Sequence, residues 1–138
     1  MELFDHLPDL PRALAELRRA TVDGGRFAFT YVPSESLYGA LGNVYRAVKR
    51  RLQPRELMIS RTYSLGEIRG LLRDSGFALE GHWGVGLLCL NAQTRLFEGS
   101  VLTRLTTGLA RLESRIRPYH CGRLARHGAH VVGVARPV

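Results

Sequence analysis

From Asp9 to Ala20 the apolar residues Leu10, Ala13, Leu14 and Leu17 recur at i, i+3, i+4 and i+7, while Glu16, Arg18 and Arg19 fall mostly off that face. This is the period of an amphipathic helix. Asp9 or Pro8 opens it, because an aspartate caps free amides and proline tolerates the first turn. Asp23-Gly24-Gly25 then stops it in a tight turn, where paired glycines accept positive φ. The period changes at Phe27 to Val32, a short aromatic and β-branched run ended by Pro33, which predicts a strand.

Ser36 to Leu52 returns to the helical period, with Leu37, Leu41, Val44, Tyr45 and Val48 on one face. Its far end, Arg46 and Lys49 to Arg51, is basic, which suits a helix C-terminus, and Pro54 ends it. Ser64-x-x-Glu67 is a capping box ahead of a third helix with the stripe Ile68, Leu71, Leu72, closed by Gly76. Phe77 to Trp83 and Val85 to Leu90 are extended and apolar, interrupted by Gly81, Gly84 and Gly86. Gln93 to Arg117 sets Leu102, Leu105, Leu109, Leu112 and Ile116 at helical spacing with arginines outside, and Pro118 stops it. His130 to Ala135 is a final strand. The early alternation of helix and strand predicts a parallel α/β sheet, in which the last strands could return antiparallel. No repeat or linker divides the chain, so residues 1–138 form a single domain with a helical insertion over about 93–126.

Composition narrows the function little. Hydrophobic residues at 45% and charged residues at 23% are ordinary for a globular chain. The strongest apolar run, Val85 to Leu90, is far short of the roughly 20 residues a membrane-crossing helix needs, so a cytoplasmic protein is expected. A net charge of +8 invites a nucleic-acid partner, yet the basic residues are arginine except for Lys49, a bias that genome base composition also produces. Nucleic acid is the minority reading. Cys89 and Cys121 have no CxxC partner and read as ordinary thiols.

The segment FDHLPDLPRALAELRRATVDGGRFAFTYVP resembles the central part of class I S-adenosylmethionine-dependent methyltransferases: an acid-His-hydrophobic triplet, Pro-Asp, a helix, a Gly-Gly turn and the fifth sheet strand. YSLGEIRGLLRDSGF is similar to the family's later helix and the Gly-Phe pair that feeds its sixth strand, and HVVGVARP resembles the seventh. Two departures stand out: Thr21-Val22-Asp23 replaces the usual Leu-x-Pro before Gly-Gly, and Asp5 replaces a glutamate. The resemblance implies an α/β fold, a partial Rossmann-like methyltransferase sheet of strands five, six and seven with flanking helices. The family's Gly-rich loop and ribose-holding acid have no counterpart, so the N-terminal cofactor-binding half is lacking. MELFDHL then aligns with the end of strand four, and Met1 is expected to be an internal position.

The resemblance further implies S-adenosyl-L-methionine as cofactor, approached by Glu2, Leu3, Phe4 and His6, with His6 as a general base. Tyr31 and Tyr38 follow the fifth strand, where open sheets bind ligands and where the family builds its acceptor pocket; core packing is the competing role for each. The acceptor is expected to be a small molecule. Glu2, Asp5 and His6 could ligate magnesium or zinc, but no further ligand converges on them, so the favoured reading leaves the acids solvated and sets His6 at the cofactor's edge. His120, Cys121, His127 and His130 fit no closed zinc spacing. Two other classes stay open: a non-enzymatic basic module binding nucleic acid or an acidic partner, and an interaction protein. In the latter an exposed sheet edge pairs with an N-terminal half or a second copy.

Overall fold

The computed structural model describes residues 4–52, 61–87, 101–116 and 119–138. Within them lie α1 (Leu10–Ala20), β1 (Phe27–Tyr31), α2 (Leu37–Leu52), α3 (Leu65–Asp74), β2 (Phe77–Val85), α4 (Val101–Ile116) and β3 (His130–Pro137), with short 3₁₀ turns at Phe4–His6 and Gly122–His127. The three strands form one sheet in the order β1-β3-β2. The last strand in sequence is therefore the middle one in space, antiparallel to both neighbours. Early alternation had suggested a parallel sheet. β1 and β2 do run the same way, but they never touch, because β3 lies between them.

The helix signals are realised locally. Asp9 caps α1 through an Arg12 N–H donated to its Oδ1 at 3.1 Å, with Pro11 in the first turn. Gly24 has φ +78° in the turn that follows, a conformation costly for a side-chain-bearing residue. In α3 both halves of the capping box form: Glu67 N–H donates to Ser64 Oγ at 3.2 Å, and Ser64 N–H donates to Glu67 Oε2 at 2.6 Å. Gly76 closes α3 with φ +75°.

One stretch differs from its expected form. Phe77 to Val85 is a single strand, not two, and Gly81 and Gly84 do not break it. The register slips between Leu79 and Gly81, so that Glu80 is the extra residue of a bulge. A bulge absorbs in one residue the irregularity that the glycine spacing suggested would end the strand. Glu80 is held outside by Arg26 (Nε to Oε2, 2.6 Å) and, more loosely, Arg136 at 3.6 Å. Residues 88–90 of the expected second strand, and 93–100 and 117 of the expected long helix, lie outside the described residues.

The core occupies one face of the sheet. Phe27, Phe29 and Tyr31 alternate onto it from β1, Val131 and Ala135 from β3, and Phe77 and Leu79 from β2; Leu10, Leu14, Ile68 and Leu72 of α1 and α3 cover them. The Phe4 ring stacks on Phe29 at 4.6 Å. Gly133 stands directly across the ladder from Phe29, and a Cβ there would run into the Phe29 ring. The aromatic ring fills the space that the missing side chain leaves. On the opposite face Ala28 is exposed, and Thr30, Val132 and Val134 are half-buried.

Gly133→Ala is therefore expected to displace Phe29 and destabilise the fold by about 1–3 kcal/mol, as overpacking does. A fall in the urea midpoint with unchanged slope checks it, and an unchanged midpoint would show that the ring moves aside at no cost.

Candidate functional site

Ligands of open α/β sheets gather beyond the carboxyl ends of the strands, and in this chain that edge is built by loops that fold back on one another. The first is tied by Asp5. Its side chain is 1% exposed, and both carboxylate oxygens accept the Val32 N–H, at 3.2 and 3.1 Å. Its carbonyl accepts from Arg61 N–H at 3.0 Å, Tyr63 N–H donates to Val32 O at 3.2 Å, and Ser34 N–H donates to Tyr63 O at 3.0 Å. Residues 61–63 thus continue the sheet for one parallel bridge beside Pro33. Of the acidic cluster, Asp5 is a buried strand cap and not a solvated acid; His6 beside it is exposed. Glu2 and Leu3 lie outside the described residues.

The second tie is Glu35. Its Oε2 accepts from Leu65 N–H, the first amide of α3, at 3.2 Å, and its Oε1 lies 3.8 Å from Arg126 Nη1. Its carbonyl accepts from His127 Nδ1 at 3.1 Å, and His127 Nε2 accepts from Arg126 Nε at 3.3 Å. A carbonyl can only accept, so Nδ1 is the donor in the bond to Glu35. Gly39 lies so close to Pro33 O that a Cβ would overlap it, which seats the first turn of α2 against the same loop.

Between these ties stand the two candidate tyrosines. Tyr31 is the last residue of β1 and only 1% exposed; its hydroxyl has no hydrogen-bond partner among the described residues. Burial, followed by the charge of Glu35, pushes its pKa far above the usual phenol value, so it stays protonated. Tyr38, on α2, is half-buried and packs its ring against His130 at 5.8 Å. Tyr63, across from Pro33, is buried, and burial, opposed by the neighbouring Arg61, raises its pKa. The structure brings Asp5 and Tyr63 into one loop cluster and Tyr38 and His130 into another.

Sequence reasoning missed the third tie. Glu113 of α4 and His120 are both buried, with His120 Nε2 and Glu113 Oε1 2.6 Å apart. The same oxygen accepts Leu87 N–H at 2.7 Å. The His120 backbone exchanges two hydrogen bonds with Gly84, at 2.8 and 2.7 Å. The pair thus fastens α4 to the end of β2. One signal was available: Glu113 is the single acid in an otherwise basic helix and falls beside the apolar stripe. Among the described residues no group of three His, Cys, Asp or Glu side chains could hold a metal ion, and Cys121 is a free, exposed thiol. An open groove of about 430 Å³ between α1 and α3, lined by Pro11, Ala15, Arg18, Leu71, Asp74 and Ser75, lies away from the strand ends and gathers no catalytic constellation.

No protein-family model matches this chain, and no curated protein sequence does. In structure the chain is similar to a crystal structure from Thermotoga maritima described as a SAM-dependent methyltransferase, possible histamine N-methyltransferase, with a TM-score of 0.59 and 21% identity. The likeness covers 96% of this chain and 51% of that one, so the chain spans about half the length of the protein it matches. It shows the fold: a mixed α/β unit with a three-stranded antiparallel sheet, similar to part of a methyltransferase fold.

Removing the Asp5 carboxylate would orphan the buried Val32 amide. Asp5→Ala is expected to lower stability by about 1–3 kcal/mol, and Asp5→Asn, which keeps one oxygen, by less; urea denaturation separates them, and equal losses would mean the charge matters more than the bond. The Ser64 amide, bonding the Glu67 carboxylate, holds that group below the ordinary glutamate value of 4.5. A depressed carboxylate stabilises above its unfolded pKa and loses that contribution as pH falls through the folded one. The stability gap between the native chain and Glu67→Gln should therefore close on acidification below about pH 4.5; a constant gap from pH 7 to 3 would exclude the linkage.

Proposed function

We propose that this chain is the carboxyl-terminal half of a SAM-dependent methyltransferase domain, acting on a small-molecule acceptor when joined to a cofactor-holding half. The observation that supports this reading is the structural likeness running along 96% of the chain while covering 51% of the methyltransferase it matches. A half-length match of that kind is what one side of a two-sided site produces.

The residues present fit a partial cofactor edge. His6 is exposed beside the buried Asp5 cap, and it emerges at the strand-end side of the sheet. Glu2 and Leu3 are the other expected contacts on that cofactor, whereas the Phe4 ring is already committed to Phe29. S-adenosyl-L-methionine, when bound, supplies an activated methyl group on a sulfonium. What this chain adds is placement and exclusion of water, which suffice for a transfer needing little covalent machinery. His6 would take the proton from an acceptor hydroxyl where the acceptor carries one. The protonated Tyr31 hydroxyl at the end of β1, lacking a partner among the described residues, would hydrogen-bond an acceptor atom brought to that edge. Tyr38 would wall it, held by its ring contact with His130. A cofactor-holding half, or a second copy, would dock at the outer edge of β1, since Phe27–Tyr31 pair with β3 alone among the described residues, whereas β2 also bridges to His120 through Gly84.

The DNA preceding Met1 gives the first test: an in-frame stretch encoding a strand and a Gly-x-Gly loop is expected. The joined polypeptide should bind S-adenosylhomocysteine by calorimetry where this chain alone does not, and His6→Ala should weaken methyl transfer to hydroxyl acceptors. A joined chain that binds no cofactor would overturn the reading.

A further inference from the structure

Two helices in this structure turn their apolar faces outward. On α2, Leu37, Leu41, Val44, Val48 and Leu52 recur at i, i+4, i+7, i+11 and i+15, and each is between 51% and 76% exposed. On α4, Val101, Leu105, Leu112 and Ile116 repeat the same phase, between 51% and 83% exposed. At about 100° per residue the sets span arcs of roughly 80° on α2 and roughly 60° on α4, continuous stripes and not scattered surface leucines. Neither stripe belongs to the core, which is built from α1, α3 and the sheet.

The charges beside those stripes point to what covers them. Arg104, Arg111 and Arg115 line up at i, i+7 and i+11 along one flank of the α4 stripe; all three are exposed, and none forms an ion pair among the described residues. The α2 sequence carries no acid; at about 100° per residue its Arg51 falls beside the stripe, while Arg46 and Arg50 fall on the opposite face. The lone acid of α4, Glu113, is buried on His120 and cannot offset its arginines. A nucleic acid would satisfy the arginines and leave the leucines in water. A second copy would cover the leucines but set arginine row against arginine row, a like-charge arrangement that opposes association. An anionic lipid surface satisfies both at once, taking the apolar stripe into the headgroup boundary while the arginines reach the phosphates. No helix among the described residues is long and apolar enough to cross a membrane, which fits lying on the surface.

We infer that α2 and α4 form a peripheral docking face for anionic phospholipid. The inference stands apart from the proposed methyl transfer, and either can fail alone.

Vesicle co-sedimentation of the full chain tests it, with phosphatidylcholine vesicles carrying or lacking phosphatidylglycerol. Binding to the anionic vesicles only, weakening as salt rises, is the expected result. At roughly fivefold per arginine, the triple variant Arg104→Glu, Arg111→Glu, Arg115→Glu should lose on the order of a hundredfold. Leu105→Ser with Leu112→Ser leaves the net charge untouched and should still lose at least about tenfold, which adsorption by charge alone would not. Val44→Ser with Val48→Ser repeats that arm on α2, and far-UV circular dichroism confirms that each variant keeps its fold. Undiminished binding by both serine pairs, equal binding to neutral vesicles, or a dimer in analytical ultracentrifugation that the serine pairs convert to monomer would each overturn the assignment. Salt-sensitive binding to an oligonucleotide that the serine pairs leave intact, without vesicle binding, would overturn it in favour of nucleic acid.

Discussion

The ladder on both sides of β3 is the constraint from which the rest of the molecule follows. β1 and β2 run in the same direction but share no hydrogen bonds; each is held in the sheet only through the strand between them. Because β3 comes last in sequence, all of residues 32–129 must leave β1, build two or more helices, lay down β2 and return before the sheet closes. The closing strand must therefore be thin where the aromatic ridge of β1 crosses it. Gly133 opposite Phe29 meets that demand, and Val131 and Ala135 on the same face are small enough to let α1 and α3 settle.

Once the sheet is closed, its strand-end edge is organised by carboxylates used as ties, not as reactive groups. The Asp5 carboxylate fixes the end of β1, beside the backbone carbonyl that catches Arg61; Glu35 joins the β1–α2 loop to α3 and to the 3₁₀ turn at 122–127; Glu113 joins α4 to the end of β2. Each ties backbone amides from a segment distant in sequence, and a charged acceptor makes such bonds stronger than a neutral one would. This leaves hydroxyl and imidazole groups, at Tyr31, Tyr38, Tyr63, His6 and His130, as the chemistry the edge can present.

The elements with local signals were legible in the sequence. α1 announced itself by Asp9 and its apolar period, α3 by Ser64 and Glu67, β1 and β3 by short β-branched or aromatic runs, and the turns by Gly24 and Gly76; all are decided within a few residues of chain. What could not be read depends on partners far away in sequence. The burial of Asp5 requires residues 32 and 61, the Glu113–His120 pair requires Leu87 and Gly84, and the bulge at Glu80 is a property of the pairing with β3. The order β1-β3-β2 likewise has no local signature. The candidate site was legible as a region, the segment around Asp5 and His6 and the tyrosines after β1, but the role of Asp5 was not: a carboxylate beside a histidine looks reactive until the amide it caps is known.

The helical period itself carries a further lesson. In α1 and α3 the stripe turns toward the sheet, in α2 and α4 it turns away, and no sequence criterion separates the two cases, because hydrophobic periodicity states that a face needs cover without naming the cover. A 16-residue helix is marginal in water on its own. Among the described residues α2 meets the body through Gly39 packed against Pro33, the Tyr38 ring on His130 and Asn43 accepting from Thr62, and α4 through Glu113 bound to His120 and the Leu87 amide. Such anchors fix where each helix begins or ends and leave its apolar length free. The stability of these two helices is thus coupled to whatever covers them.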